Sequence, residues 1–284
     1  MRALLLAFSC LILPAQAVAS SCYAYVENLR QTMPGVQYAN LGPLALNART
    51  VKITYVAHST FRIETEQGVI IATDYFGSAG QRRAEDGTRT SILPTVVTMN
   101  HAHETHWTAF PDERIPYVLR GWNHDGKGPA DYRLRVEDVT IRNVTTDIRG
   151  WGEPEADGNS IFIFEVADLC IGHLGHLHHV LDEARYAKVG RLDIVMAPVD
   201  GSFTLSLPEM ISVLKTFKAR IVLPMHAFGT HTLQRFVEGM RDEFAVKVHD
   251  GATLEISYDT LPGEPTVLIL PTENSALEPG FGED

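Results

Sequence analysis

Three histidines fall within six positions in His101-Ala102-His103-Glu104-Thr105-His106, directly after the apolar run Thr95-Val96-Val97-Thr98-Met99. Imidazole is the commonest protein ligand for transition metals, so a strand ending in such a loop reads as a device for delivering metal ligands. Two histidines two apart on extended backbone point the same way, and a third just past a turn folds back toward them. The plainer alternative is a polar loop that happens to be histidine-rich. The downstream sequence favours the metal: His226 closes a second apolar run, Ile221-Val222-Leu223-Pro224-Met225, and Ile171-Gly172-His173-Leu174-Gly175-His176-Leu177-His178-His179 holds four more histidines.

The elements that would position these residues come in two sets. Residues 51–56 and 60–64 alternate apolar and polar side chains, and 69–72 continues into Asp74, so each predicts a strand. A polar loop over 77–89 leads to the histidine-bearing strand, and 115–120 and 139–144 predict further strands around a turn-rich stretch, 121–129. Asn159-Ser160-Ile161-Phe162-Ile163-Phe164-Glu165 echoes Ser59-Thr60-Phe61-Arg62-Ile63-Glu64, and Leu169-Cys170-Ile171-Gly172 echoes Gly68-Val69-Ile70-Ile71, at an offset near 101 residues. Two similar β-rich halves follow from that repeat. Beyond them, 192–196 and 221–225 are buried strands. Ser206-Leu207-Pro208-Glu209 predicts a capping box opening a helix with Leu207, Met210, Ile211, Leu214 and Phe217 on one face, and 230–244 predicts another amphipathic helix.

The ends of the chain bound its location. Met1-Arg2, an apolar stretch from Ala3 to Leu13, and small-x-small cleavage sites around Ala17 and Ala19 make residues 1–19 a signal peptide and the mature protein periplasmic or secreted. Ala19-Ser20-Ser21-Cys22 is a poor lipobox, so lipid anchoring at Cys22 is not expected. No later run is long and apolar enough to form a transmembrane helix, and no membrane insertion is expected once the signal is cleaved. Residues 20–50 form an N-terminal extension with a short helix over 23–33 and a Pro/Gly linker over 34–43. Residues 51–271 form the main domain, and 272–284 an acidic tail. The net charge of -11, without a basic cluster, excludes nucleic acid as a partner. Cys170, in a predicted buried strand, reads as a small core residue rather than a partner of Cys22.

The order of these features resembles the metallo-β-lactamase superfamily, in particular its ascorbate-6-phosphate-lactonase-like hydrolases. The carriers are His58-Ser59-Thr60-Phe61 with Asp74, the loop from His101 to His106, the stretch 171–179, and Pro224-Met225-His226. The resemblance implies an α/β fold, a four-layer αββα sandwich of two pseudo-symmetric halves with the metal site at one edge. His101, His103, His106 and His226 match family ligands. Thr105 stands where the family has an aspartate, His176 replaces the bridging aspartate, and Thr146-Asp147 occupies the expected place of a further histidine.

With both ligand carboxylates replaced, two adjacent divalent ions would face only neutral imidazoles, so one ion, most simply zinc, is expected. The expected ligands are His101, His103, His106, His176 and His226. The expected chemistry is metal-bound hydroxide attacking a small ester, lactone, amide or phosphoester, with Glu104 or His179 handling protons. His58, Asp74 and Thr105 are expected to support ligands from behind. Tyr75, Trp107 and Phe228 are expected to line a pocket for a small-molecule substrate. The competing expectation is a non-catalytic binding or scaffold protein that has lost its metal centre.

Overall fold

The computed structural model describes residues 22, 49–126, 128–149 and 153–273. The predicted signal peptide, the helix over 23–33, the linker and nearly all of the acidic tail lie outside them. Strands β1 (Thr50–Ala57), β2 (Thr60–Thr65), β3 (Ile70–Ala72), β6 (Val96–Met99) and β7 (Tyr117–Arg120) form a six-stranded sheet with β15 (Thr253–Ser257), in the order β15-β1-β2-β3-β6-β7. The second sheet has eight strands: β8 (Arg133–Val136), β9 (Val139–Ile148), β10 (Glu155–Val166), β11 (Leu169–His173), β12 (Ile194–Pro198), β13 (Ile221–Met225), β14 (Ala245–Val248) and β16 (Thr266–Ile269). Their order is β14-β16-β13-β12-β11-β10-β9-β8.

The internal repeat is visible in the pairing. β1, β2 and β3 are antiparallel neighbours, after which β6 and β7 add in parallel. β9, β10 and β11 are likewise antiparallel, after which β12 and β13 add in parallel. Registers match too: Ile71 pairs with Val96 and Val96 with Tyr117, as Ile171 pairs with Ile194 and Ile194 with Ile221. Parallel neighbours need long crossovers, and here the halves part company. The second half crosses over through helices α1 (Glu183–Val189) and α2 (Leu207–Phe217), with α3 (Thr230–Met240) following β13. The first half crosses over through loops, and one of them carries His101 to His106.

The inner faces of the sheets interdigitate through Val51, Ile53, Phe61, Ile63 and Ile71 on one side and Ile141, Phe162, Phe164, Ile171 and Ile194 on the other. Each such side chain, fully removed from water, contributes about 1.5–3 kcal/mol before entropy is counted. β11, β12 and β13 are buried on both faces, which is why they read as continuous apolar runs. Their outer face packs on the helices through Leu192, Val195, Met210, Leu214 and Phe236. The outer face of the six-stranded sheet is covered by loops around Tyr75, Met99, Ile115 and Trp122, so among the described residues the helices line one sheet only. None of these helices is long and apolar enough to cross a membrane.

Three local expectations change. Cys22 and Cys170 form a disulfide, with Cα atoms 5.7 Å apart, so Cys170 is not a lone core thiol. The partners lie 148 residues apart, and Cys22 is drawn in by its carbonyl, which accepts from Arg191 N at 2.7 Å. In the predicted capping box, Ser206 Oγ donates to Glu209 Oε2 at 2.6 Å instead of capping a backbone N–H. The predicted loop over 77–89 contains β4 (Gln81–Arg83), which forms an exposed hairpin with β5 (Arg89–Ser91).

Candidate metal centre

Because β1, β3 and β6 run in one direction, their carboxyl ends share one edge of the first sheet. Those of β11, β12 and β13 share one edge of the second. From these ends come His58, Asp74, the loop 101–106, His176, Asp200 and His226. Three of these residues, His58, Asp74 and His226, adopt left-handed backbone (φ 49°, 41° and 56°), a strained conformation for non-glycine residues that collects at functional sites. The turns are tied together: His58 O accepts from Tyr55 Oη at 2.7 Å and from His226 N at 2.9 Å.

His58, His103, His106 and His226 each present one ring nitrogen to a common space in which the four atoms lie within 4.8 Å of one another. The Nε2 atoms of His58, His106 and His226 are buried and have no hydrogen-bond partner. Leaving a buried polar nitrogen unpaired costs about 1–3 kcal/mol each, so three such atoms on rings that share this space fit a metal ion as their partner. The opposite edges of two of the rings are held. His106 Nδ1 lies 2.5 Å from Asp74 Oδ2 and 3.2 Å from Ser59 Oγ, and His103 Nδ1 is 2.8 Å from Thr105 Oγ1. His226 Nδ1 stands 3.1 Å from Asp200 Oδ2 but outside hydrogen-bond geometry. Carboxylates behind ligand imidazoles fix the ring and raise its basicity.

Burial, with positive charge on neighbouring histidines second, lowers the pKa of three of these rings. His58 falls to about 4, His103 falls, and His106 falls well below its ordinary value. Those three rings are therefore neutral near pH 7, the state that binds metal. Burial pushes Asp74 up to about 6, against a hydrogen bond from Asn100 Nδ2 at 2.6 Å. Burial would raise Asp200 as well, but hydrogen bonds from its surroundings outweigh it and hold that carboxyl far below the usual range.

His101, predicted as a ligand, is not brought to this group. Its Nδ1 meets Glu155 Oε1 at 2.6 Å, and its ring stacks on Trp122 with centroids 5.0 Å apart. His176 stands at the edge, with Nε2 3.1 Å from His103 Nε2. His58, expected behind the ligands, is among the converging rings. Asp74 and Thr105 do sit behind His106 and His103. Glu104 is exposed, and His179 is exposed with its ring 6.5 Å from that of His178. Tyr75 is buried in the loop-side core and Trp107 packs against it, so neither opens onto the group as pocket lining. Phe228 does: it is 55% exposed and 4.9 Å from the His226 ring. Phe203, 58% exposed, meets Phe228 edge-on at 5.6 Å, so two aromatic rings flank the mouth.

Sequence reasoning missed Asp200, Glu155, Asn100 and Asn159. Asn100 Oδ1 accepts from Ser160 N, which ties the two sheets together under the site, and Asn159 Oδ1 accepts from His176 N within the second half. Gly175 lies between them at φ +60°, where a Cβ would come within 2.4 Å of both amides, so this position demands glycine. Asp200 was findable: it follows the apolar run of β12 as His226 follows β13.

A model described as a beta-lactamase superfamily domain matches residues 52–226. A metal-dependent hydrolase of Salinibacter ruber is 22% identical over 225 residues, covering 73% of this chain and 94% of its own. A metal-dependent hydrolase of Pyrococcus horikoshii is 24% identical over 193 residues, covering 62% of this chain and 84% of its own. The crystal structure of a metallo-β-lactamase superfamily protein from Thermotoga maritima is similar at a TM-score of 0.54 and 25% identity, covering 78% of this chain and 98% of that one.

Proposed function

We propose, from the premise that this chain belongs to the β-lactamase superfamily, that it is an exported metal-dependent hydrolase working with one divalent ion, most simply zinc. The observation that carries this is the convergence of ring nitrogens from His58, His103, His106 and His226, three of which hold a buried, unpartnered Nε2. Nitrogen donors without thiolates suit zinc among the available divalent metals. Such an ion supplies Lewis acidity toward a carbonyl or phosphoryl oxygen and makes water a nucleophile near neutral pH.

The chain's own residues do the rest. His103, His106 and His226 hold the ion with His58, while Asp74 and Thr105 fix the angles of their rings. Phe203 and Phe228 offer an apolar lip to a small substrate. The one-ion reading rests on His101 being engaged by Glu155 and on Thr105 and His176 standing where carboxylate ligands would offset a second charge. The order of the histidine motifs supports a place beside the lactonase-like hydrolases and a lactone, ester, amide or phosphoester as substrate. The leader-like residues 1–19 and the Cys22–Cys170 disulfide support export to an oxidising compartment, and the paired Cys22 sulfur is not available for a lipid anchor.

Metal analysis of the purified mature protein tests the reading, together with assays on a lactone, an aryl ester and a phosphodiester. The expected result is close to one zinc per chain and turnover of at least one substrate class, with both lost in His106→Ala and His226→Ala. Wild-type protein that takes up no zinc on supplementation overturns it. Zinc uptake without turnover of any of the three favours the binding-protein alternative, for which the Thr105 substitution speaks.

A further inference from the structure

His176 belongs to a chain of hydrogen bonds whose direction is fixed at one end by a backbone group. Arg149 N donates to His178 Nδ1 at 3.1 Å, and Arg149 Nε approaches the same atom at 3.4 Å. An N–H cannot accept, so His178 Nδ1 is the unprotonated nitrogen and its proton sits on Nε2. His178 Nε2 lies 2.5 Å from His176 Nδ1 and must donate to it. His176 therefore carries its own proton on Nε2, which faces His103 Nε2 at 3.1 Å. His103 completes the run with its proton on Nδ1, 2.8 Å from Thr105 Oγ1. Each bond is satisfied by one set of neutral tautomers, and reversing any of them leaves two N–H groups or two lone pairs opposed.

Arg149 is itself anchored: its guanidinium Nη2 donates to the carbonyls of Ser202, Phe203 and Thr204, in the loop that also holds Asp200. The middle of the chain is clamped as well, because His176 N donates to Asn159 Oδ1 at 2.8 Å. The His176 ring stands edge-on to His103, His106 and His226, with centroids 4.8, 4.7 and 5.1 Å away. What it turns toward His103 is an N–H.

We infer that His176 is a hydrogen-bond donor held at the rim of the metal centre, and not one of its ligands. This rests on the reading of His58, His103, His106 and His226 as that centre. The resemblance had an acceptor carboxylate at this place, whereas here a fixed donor occupies it. Once His103 Nε2 turns its lone pair to the ion, this N–H is released from His103 and suits an anionic oxygen of a bound substrate, since the donor needs no reorientation when charge develops there. His176 is thus a substrate-facing donor whose tautomer is set from Arg149 through His178.

Histidine-selective 15N labelling of the full mature protein tests this directly. In the metal-free protein, long-range proton–nitrogen correlations should assign Nε2–H to His176 and His178 and Nδ1–H to His103. On titration with Zn²⁺ alone, His106 and His226 should show a zinc-bound nitrogen while His176 keeps its Nε2 proton. His176→Gln, which retains an N–H donor, should bind zinc within about threefold of wild type, where loss of a true ligand weakens binding about a hundredfold. An Nδ1–H tautomer at His176, loss of its Nε2 proton on zinc loading, or a hundredfold loss in His176→Gln overturns the inference, and the wild-type spectra decide if that variant fails to fold. Zinc binding without turnover overturns the hydrolase reading alone, whereas a protein that binds no zinc overturns both.

Discussion

Asp74 with His106 and Asp200 with His226 occupy matching roles in the two halves of the sandwich, yet the two carboxylates are satisfied in opposite ways. Asp74 is fully buried, receives one amide N–H from Asn100 at 2.6 Å, and leans on His106 Nδ1 at 2.5 Å. Asp200 Oδ1 accepts the backbone N–H groups of Ser202, Phe203 and Thr204 at 2.8, 2.6 and 3.1 Å, and Oδ2 accepts Thr204 Oγ1 at 2.5 Å. Burial therefore wins at Asp74, whose pKa rises to about 6, while hydrogen bonding wins at Asp200, whose pKa falls. The contrast separates two jobs. Asp74 orients a ligand and has little else to hold, whereas Asp200 first organises its own loop and faces His226 as a preformed anion.

The largest effects test whether both halves supply ligands at all. His106→Ala and His226→Ala are each expected to weaken zinc binding by more than about a hundredfold, read by competition with a chromophoric chelator. If only one of them does so, the centre belongs to one half and the pairing of roles is broken. Next, Asp74→Asn should weaken zinc binding about 10–100-fold while shifting the melting temperature of the metal-free protein little, because it removes the partner of a ligand ring. Asp200→Ala should do the reverse. Stranding three backbone N–H groups costs on the order of 3 kcal/mol, roughly 10 °C in a domain of this size, with zinc affinity falling less than tenfold. Equal behaviour of the two variants would remove the distinction.

The part of this arrangement legible in the sequence was the part where an apolar strand runs into a histidine. β6 before the 101–106 loop and β13 before His226 announced themselves, and the echo between 59–64 and 159–165 announced the paired halves. Asp200 followed an equally apolar strand but stood in Val199-Asp200-Gly201-Ser202, which reads as turn chemistry, and turn chemistry is indeed what its hydrogen bonds perform. His101 was misplaced for a geometric reason. The argument that residues two apart share a face holds on a strand, but β6 ends at Met99 and the backbone beyond it bends. The Cys22–Cys170 pair joins residues 148 apart, and no local pattern could have connected them.

Acid sharpens the comparison by a smaller effect. His58 and His178 have folded pKa values of about 4, below the ordinary 6.5, so the unfolded chain binds more protons between those limits. The metal-free protein should lose stability as pH falls from about 6.5 to about 4. Asp74 acts in the opposite direction: its raised pKa means that the folded state takes up a proton first, and this contribution is lost as pH rises through about 6. Asp74→Asn should thus steepen the acid loss. Asp200, with its depressed pKa, contributes stability that fades only below its ordinary value near 3.8, so Asp200→Asn should leave the window above pH 4 unchanged. Urea denaturation at a series of pH values separates the two slopes.

The smallest effect is expected where the sequence placed the most weight. His101 pairs with Glu155 across partly exposed surface and stacks on Trp122, and it is not among the residues whose nitrogens converge. A half-exposed histidine–carboxylate contact contributes about 0–1 kcal/mol, and the ring contact adds a similar amount. His101→Ala should therefore change the melting temperature by no more than roughly 5 °C. It should leave zinc stoichiometry untouched and zinc affinity within about threefold of wild type. That outcome would make the histidine loop a shared structure with two destinations, in which His103 and His106 turn inward to the centre while His101 turns outward and pins the loop to β10 through Glu155. A hundredfold loss of zinc in His101→Ala would instead mean that the ring leaves Glu155 to join the centre when metal binds, and the one-ion reading would fall with it.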